Sequence, residues 1–454
     1  MGHIAFGAPG LDRFHLVERL ARELVTRGHR VTVLCVDPGD FAFWSAQGLA
    51  ATWIAPGAPI ADRTPWAEFA ELDCRRAGHA PSPGRVRAAT LRLRRLLPNL
   101  LRCFETDPPD LLLLHQRRTG AHALLQFVAR ECGTRTLWTG CGLLPHTMQL
   151  DDEGLDGDAR VGRRSAWDFR GLDADPEFLT AALAGVVGRN VPPALSRRAV
   201  RMPPWWARLR AALVGRGEGS GRSVLDAFTA CWQAVPPQPA PPRTVELPPG
   251  PFVAVLLQTD DDDRLRLDAV APPTPATLVA AARDAAHALD RTMRVVAVLP
   301  PRGLLARDLA PLRRLAGVTL ELDEAAIEAC VAATAVVTVN APQATVALLA
   351  DTPVVHLGRA PYGMPGVATR ATVDTLAAAL PQALGDDQPE LRRRFLGWLL
   401  SHGHVWCSAE QPDHNGLCGL ILQIERRLPR AVPVGGQLHY RAGPAWPLTA
   451  EGRT

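Results

Sequence analysis

The sequence predicts an α/β protein in which two Rossmann-like parallel-sheet domains face a cleft and are followed by C-terminal helices. Short apolar runs alternate with amphipathic stretches in both halves of the chain, which is typical of repeated βαβ units. A Pro-, Gly- and Arg-rich stretch separates the two halves. The length of 454 residues also exceeds the usual size of one domain. We therefore expect two lobes, each built on a doubly wound sheet.

The first half opens with the pattern of a complete βαβ unit. It has a strand at 3–6, a helix with leucines on one face at 13–26, and an apolar strand at 31–35. Gly28 is placed to end that helix. Two more strands, at 111–114 and 135–138, flank a helix at about 121–131. The continuous apolar runs favour strands that are buried on both faces of a parallel sheet.

The alternation resumes after residue 250. Strands are predicted at 252–257, 294–299, 318–320, 336–340 and 353–357, and helical stretches at 275–289, 312–315, 324–333 and 343–350. Helices at 389–400 and 416–427 follow. The predicted divisions are a first domain at 1–191, an irregular connection at 192–250 that could hold one helix at 227–234, a second domain at 251–385, C-terminal helices at 386–430 and a tail at 431–454.

The composition excludes several classes of chemistry. All 50 basic residues are Arg, so Schiff-base chemistry and a phosphate-binding lysine are ruled out. A formal charge of only +4, spread along the chain, argues against nucleic acid as a partner. Nine cysteines without CxxC pairs favour reduced thiols in a cytoplasm. Because we find no signal peptide pattern and no membrane-spanning run, we expect a soluble protein, at most resting on a membrane surface.

The most informative segment runs from residue 336 to 369. A buried strand leads to Asn340, and the next helix begins near Gln343, where free N–H groups would form an anion site. On spacing alone, Asn340 could equally cap that helix, and the glycines that follow could serve turns. The candidate binding residues of this segment are Asn340, Gln343, Gly358, Arg359, Tyr362 and Gly366.

Other candidates follow the remaining predicted strands. Asp40 lies in a Pro-Gly-Asp turn four residues before Trp44, Arg118 lies near His122 after the third strand, and Gln258 precedes an Asp run. Ligands bind at the carboxyl ends of the strands in such sheets, so Asp40, Arg118 and Gln258 are predicted to contact substrate. The Asp run at 260–263 more simply forms a solvated loop, and we predict no metal site.

These residues, in this order, resemble the capsular polysaccharide biosynthesis/export family, which includes two-domain GT-B type transferases of Kdo (a 3-deoxy-octulosonic acid) that use CMP-Kdo. The family's T-V-N-S turn, P-V pair and G-R-A-x-Y-D-x-P-G-L-T loop correspond to 338–341, 353–354 and 358–369 here. Weaker matches run in order from about residue 4 to 425. This chain departs from the family at Ala341, where a hydroxyl is usual, and at Gly363, where Asp is usual.

The resemblance implies that the two domains bind different substrates. The first domain would hold a lipid- or glycan-linked acceptor, and the second would hold a CMP-activated sugar as donor substrate, with no separate cofactor. It also implies a cytoplasmic location that allows peripheral association with the inner face of the membrane beside a polysaccharide export assembly.

The resemblance also shows what this chain lacks. The family carries an acidic element suited to activating an acceptor hydroxyl. In this chain, Thr139 and Gly140 stand at the positions of that element's leading carboxylates. Its K-H-P element is replaced at 298–300. Neither Thr139 nor Gly140 can act as a general base. We therefore expect Asp151 as the first candidate base and His146 as the second, since both lie in the predicted loop at 139–153.

Three functions remain open on the sequence. The first is transfer of Kdo or a related acidic sugar from a CMP-activated donor in capsular or surface polysaccharide assembly. The second is a catalytically degenerate relative that acts as a binding scaffold or export-associated protein. The third is a GT-B type epimerase or transferase that uses a UDP-sugar.

Overall fold

A computed structural model describes residues 1–10, 14–59, 64–78, 80–115, 118–173, 175–187, 247–300, 303–386, 388–409 and 412–429. Among these residues, none of the helices combines the length and the apolar character needed to cross a bilayer. The predicted connection at 192–250, its possible helix at 227–234 and the tail at 431–454 lie wholly or largely outside the described residues.

The first half of the chain forms six strands and six helices among its described residues. In order they are β1 His3–Gly7, α1 Phe14–Thr26, β2 Arg30–Cys35, α2 Pro38–Ala46, β3 Ala51–Trp53, α3 Trp66–Arg76, α4 Pro83–Thr106, β4 Leu111–His115, α5 Gly120–Glu131, β5 Arg135–Cys141, β6 Thr147–Asp151 and α6 Pro176–Val187. Three short 3₁₀ turns, Asp156–Asp158, Arg160–Arg163 and Ala166–Phe169, lie between β6 and α6.

The second half supplies seven more strands and eight more helices among its described residues. In order they are β7 Phe252–Leu256, α7 Asp263–Asp268, α8 Pro275–Leu289, β8 Arg294–Val298, α9 Ala306–Leu312, β9 Val318–Glu321, α10 Ala326–Ala332, β10 Ala335–Thr338, α11 Ala344–Leu349, β11 Val354–His356, β12 Thr369–Arg370, α12 Leu376–Leu384, α13 Pro389–Trp398, β13 His404–Trp406 and α14 His414–Glu425. A π-helical turn, Leu399–Gly403, joins α13 to β13.

Both sheets have the Rossmann strand order. The first runs β3-β2-β1-β4-β5 in parallel and ends with β6 and β13, which are antiparallel to their neighbours β5 and β6. The second runs β9-β8-β7-β10-β11-β12 and is parallel throughout. Strand order therefore reverses beside β1 and beside β7, and ligands of such sheets bind at these switch points. The predicted fold class is confirmed.

The two halves exchange elements. Helix α6, from the first half, packs in the core of the second sheet through Leu179 and Val186. Helix α14, from the end of the chain, packs on the first sheet through Leu420 and Ile424. Of the two predicted C-terminal helices, only α14 packs back on the first sheet in the described structure, because the apolar face of α13 contacts the second core.

Several predicted elements differ in detail. The segment at 139–153, predicted as a loop, is a hairpin of β5 and β6. Polar residues interrupt the apolar pattern that would predict strands in this segment. The structure can place them in strands because their side chains hydrogen-bond to the backbone, as the Thr147 hydroxyl does to the Leu144 carbonyl. The helix predicted at 312–315 runs earlier, at Ala306–Leu312.

His404 joins the exchanged strand β13 to the hairpin. Its Nδ1 donates to the Leu399 carbonyl (3.1 Å), and its Nε2 accepts from the Leu143 N–H (3.0 Å). This pattern requires the neutral ring. Burial lowers the pKa of His404 from 6.5 to about 4. The neutral imidazole is therefore part of the packing between the two halves.

We expect His404 to make stability depend on pH. Its pKa is lower in the fold than in the unfolded chain, so its contribution is complete above pH 6.5 and is lost as the pH falls towards 4. The loss amounts to about 3 kcal/mol from this group. Urea unfolding between pH 7 and 4.5 should show a shallower pH dependence for His404→Gln than for the native chain. The exposed control His287→Gln should keep the native slope, and an unchanged slope in His404→Gln would contradict this role.

Candidate functional site at the domain junction

The carboxyl ends of the two sheets meet around helix α7. This six-residue helix follows β7 and is capped by Asp262, whose side chain accepts from the Arg264 N–H. It packs against α3 and against the 3₁₀ turn Asp156–Asp158 of the first domain. The junction is therefore formed by segments that follow strands in both domains, where the Rossmann order predicts a ligand site.

Asp268, the last residue of α7, is the centre of the junction. Arg118, which follows β4, donates to both of its carboxylate oxygens, at 2.5 and 2.9 Å. Arg359, which follows β11, donates to Oδ1 at 2.9 Å. The Gly157 N–H donates to Oδ2 at 3.3 Å, and both arginines also contact Asp158. One fully buried carboxylate thus ties three strand-end segments together.

Further ion pairs hold the rest of α7. Arg264 donates through Nε to Asp156 Oδ1 (2.6 Å) and through Nη2 to the Cys141 carbonyl (3.4 Å). Arg76 of α3 pairs with Asp263 at 3.2 Å. Arginine chemistry suits this arrangement, since one planar guanidinium donates to several oxygens in fixed directions.

Burial and carboxylates act in opposite directions on Arg118. Burial lowers the pKa of its guanidinium, but the hydrogen bonds that it donates to Asp268 and the negative charge of the nearby Asp158 raise that pKa by more, so the net shift is upward. The pKa of Arg264 is likewise lowered by burial and raised further by Asp156 and Asp262. Both arginines therefore remain charged at any pH at which the protein is folded.

Gln258 and Asn340 form a reciprocal amide pair beneath α7. Gln258 Nε2 donates to Asn340 Oδ1 (2.9 Å), and Gln258 Oε1 accepts from the Asn340 N–H (3.2 Å). Asn340 Nδ2 then donates to the carbonyls of Arg264 and Arg359. Asn340 therefore positions α7 and the loop after β11, and it is not the cap of the next helix.

The helix start at Gln343 does not supply the free N–H groups expected there. Helix α11 has six residues and no side-chain cap. The N–H groups of Ala344, Thr345 and Val346 donate to the carbonyls three residues earlier. These three amides are used within the turn and are not free for an anion.

The loop after β11 is held by close contacts. A side chain at Gly358 would meet Asn340 Nδ2 at 3.1 Å, and Gly366 has a φ of +83° that favours glycine. Tyr362 is fully buried, and its hydroxyl donates to the Ala341 carbonyl at 2.8 Å. Any side chain at Gly363 would collide with His356, whose Cε1 lies 2.7 Å from the position of a Cβ. Within this loop, the Arg359 side chain is half exposed.

The two candidate bases lie at opposite ends of β6. His146 is in the hairpin turn at the carboxyl end of β5, has a φ of +59°, and has a buried Nε2 with no hydrogen-bond partner among the described residues. Asp151 pairs with Trp138 further down the sheet. Asp151 is five positions along the chain from His146, or about 17 Å along an extended strand. They cannot act on the same atom in this arrangement.

The Asp151 carboxylate is engaged with its own loop. It accepts from the backbone N–H groups of Glu153, Gly154 and Arg160, at 2.8, 3.0 and 2.9 Å. Burial raises the pKa of Asp151, and these three hydrogen bonds oppose that rise. These contacts describe a carboxylate that shapes a turn.

Other predicted positions lie near the carboxyl edge of the first sheet. Asp40 is in the first turn of α2, where its N–H donates to Asp37. Thr139, at the position of the family's leading carboxylate, is fully buried, and its hydroxyl bonds His115 Nδ1 at 2.9 Å. Within the described residues, no group of three or more His, Cys, Asp or Glu side chains is arranged to hold a metal ion.

Sequence reasoning missed Asp156, Asp158 and Asp268. Asp156 and Asp158 belong to an acidic stretch that begins at Asp151, and Asp268 stands alone, so no motif marks any of them as a site residue. Only the meeting of the two domains shows that all three carboxylates face arginines. Arg118 and Arg359 were predicted separately as substrate contacts, and the structure brings them to one carboxylate.

No protein-family model and no curated protein matches the chain. Solved structures with which it can be aligned include a glycotransferase of kitacinnamycin (18% identity, 94% of this chain and 99% of that chain, TM-score 0.34). Others are a spinosyn rhamnosyltransferase complexed with thymidine diphosphate (14%, 94% and 100%, 0.37) and a glycosyltransferase from Streptomyces nogalater (15%, 93% and 99%, 0.31). At these TM-scores the fold class rests on the strand orders themselves.

We expect removal of the Asp268 charge to destabilise the protein. Asp268→Asn would leave the buried Arg118 with Asp158 as its remaining carboxylate partner, which costs up to about 3 to 5 kcal/mol. Arg393→Gln breaks an exposed ion pair with Asp351 and should cost less than about 1 kcal/mol. Urea unfolding followed by circular dichroism measures both. Equal, small effects in the two variants would show that Asp268 does not hold the junction.

Proposed function

We propose that this chain is a GT-B type glycosyltransferase that binds a nucleotide-activated sugar at the domain junction. The observation that carries the proposal is the meeting of the carboxyl ends of two Rossmann-order sheets at one place, around Asp268. That edge is where such sheets bind ligands. Arg359, whose side chain is half exposed there, can meet a phosphate or carboxylate of a ligand.

The donor would bind mainly to the second domain. Arg359 is half exposed and shares Asp158 and Asp268 with Arg118. A ligand oxyanion would take the place of one of these carboxylates as the partner of Arg359, and that carboxylate would keep Arg118 as its own partner. Gln258 and Asn340 would support the donor indirectly by holding the loop that carries Arg359. The resemblance in the 336–369 segment supports a CMP-activated Kdo or related acidic sugar as the donor.

A second candidate function is a sugar-binding protein that no longer transfers. Two observations favour it: Thr139 stands where the family has a carboxylate, and the Asp151 oxygens are taken by backbone N–H groups. In that case the junction would bind the nucleotide-sugar without turnover. The two candidates differ in one measurable property, which is transfer.

We expect Arg359→Gln to weaken donor binding by about 1 to 3 kcal/mol, as for one lost charge-assisted hydrogen bond. Isothermal titration with CMP-Kdo, UDP-sugars and thymidine diphosphate sugars would identify the preferred donor and measure this change. Arg87→Gln, an exposed arginine of α4, is the control and should bind as the native chain does. Unchanged affinity in Arg359→Gln would place the donor elsewhere.

A separate prediction concerns the base. His146 lies at the carboxyl edge of the first sheet, so its position favours it over Asp151. If His146 takes the acceptor proton, His146→Ala should lower kcat by about 10² or more and leave donor affinity intact. Asp151→Asn should do the same only if Asp151 is the base. No loss of transfer in either variant would exclude both, and donor binding without any transfer by the native chain would favour the second candidate.

A further inference from the structure

A small cavity opens at the edge of the first sheet, outside the domain junction. Strand β13 pairs with residues 147–149 of β6, and the chain before it turns away in the π-helical turn Leu399–Gly403. In the described part of the chain, Leu150 and Asp151 therefore have no strand on that side. A cavity of about 270 Å³ fills this gap, closed by the end of α14. Single π-helical turns of this kind are frequent at functional sites.

The cavity carries excess positive charge. Its charged walls are Arg160, Arg164, Arg426, Arg427, Asp151 and Asp152. The Asp151 oxygens accept from backbone N–H groups, and Asp152 pairs with Arg427 at 3.1 Å. Among the described residues, no carboxylate lies within 4.0 Å of the guanidinium nitrogens of Arg164 or Arg426. Arg164 does act electrostatically on Asp168, but the Asp168 Oδ2 accepts from the Ser165 N–H and hydroxyl. Both arginines can therefore still pair with an anion from outside.

The Arg164 guanidinium is held in place by aromatic side chains. It lies 4.4 Å from the centre of the Trp398 ring, and Trp398 stacks with His402 at 5.4 Å with the planes 7° apart. Trp398 also packs edge-on against Phe169. Because stacking already restricts Arg164, little side-chain entropy remains to be lost when it binds an anion.

We propose that this cavity binds an oxyanion, a carboxylate or a phosphate, carried on a single sugar ring. Its volume of about 270 Å³ is near the lower end of the range for small-molecule sites and suits one ring. Gln423 on its wall offers its amide nitrogen to sugar hydroxyls, whereas the Ser401 hydroxyl donates to the Gly397 carbonyl at 2.6 Å. The choice of a sugar as the carrier rests on the proposed function; the anion site itself rests on Arg164 and Arg426.

Titration of the native full chain with glucuronate, glucose 6-phosphate and glucose tests the proposal. We expect both acidic sugars to bind, glucose to bind at least about tenfold more weakly, and added salt to weaken the acids. Arg426→Gln and Arg164→Gln should each lower the affinity for the acids about fivefold to tenfold. Arg87→Gln should bind as the native chain does. Arg426 is exposed, so its variant keeps the test valid if Arg164→Gln fails to fold.

Three results would overturn the proposal: equal affinity for glucose and glucuronate, unchanged affinity in Arg426→Gln, or binding to phosphatidylglycerol vesicles that Arg426→Gln abolishes while no sugar binds. These titrations use no donor. A chain that binds glucuronate here and binds no nucleotide-sugar therefore contradicts the proposed function alone. A chain that binds a nucleotide-sugar and no acidic sugar at this cavity contradicts this proposal alone.

Discussion

Asp268 and Arg118 impose the constraint on which the rest of the junction depends. Two charges with less than a tenth of their side chains exposed are stable only if they remain paired. They come from different domains, so the domains must stay in the one orientation that pairs them. Such a pair adds little net stability over an apolar contact, but it makes other orientations costly. We infer that its main effect is to specify how the two sheets face each other.

The exchange of α6 and α14 reinforces that orientation. Each helix contributes apolar side chains to the core of the opposite half, so separating the domains would expose them to water. The exchanged helices therefore hold the two halves together, and the ion pairs of the junction align the carboxyl edges of the two sheets. Arg359, half exposed at that edge, remains available to a ligand.

How much the sequence predicts depends on the range of the interactions. Local periodicity predicts elements such as α8, Pro275–Leu289, to the residue, because an amphipathic helix is encoded in adjacent turns. The β5–β6 hairpin escapes prediction because Gln149 and Asp151 are buried polar residues satisfied by backbone groups. Asp268 is not predicted as a site residue, because its partners lie about 90 and 150 positions away in the sequence and no local pattern connects them. Arg118 and Arg359 were predicted as substrate contacts, and the sequence did not indicate that they share Asp268 as a partner.

The most direct test of the account is amide hydrogen exchange of the native full-length chain with and without cytidine monophosphate. If the junction is the nucleotide site, saturation should slow exchange in peptides from α7 and from residues 356–366, and also around 154–160 in the other domain. Protection on both sides is expected because Asp268 couples them. Bound nucleotide that slows exchange only outside these segments would show that the ligand site lies elsewhere and that the junction is structural.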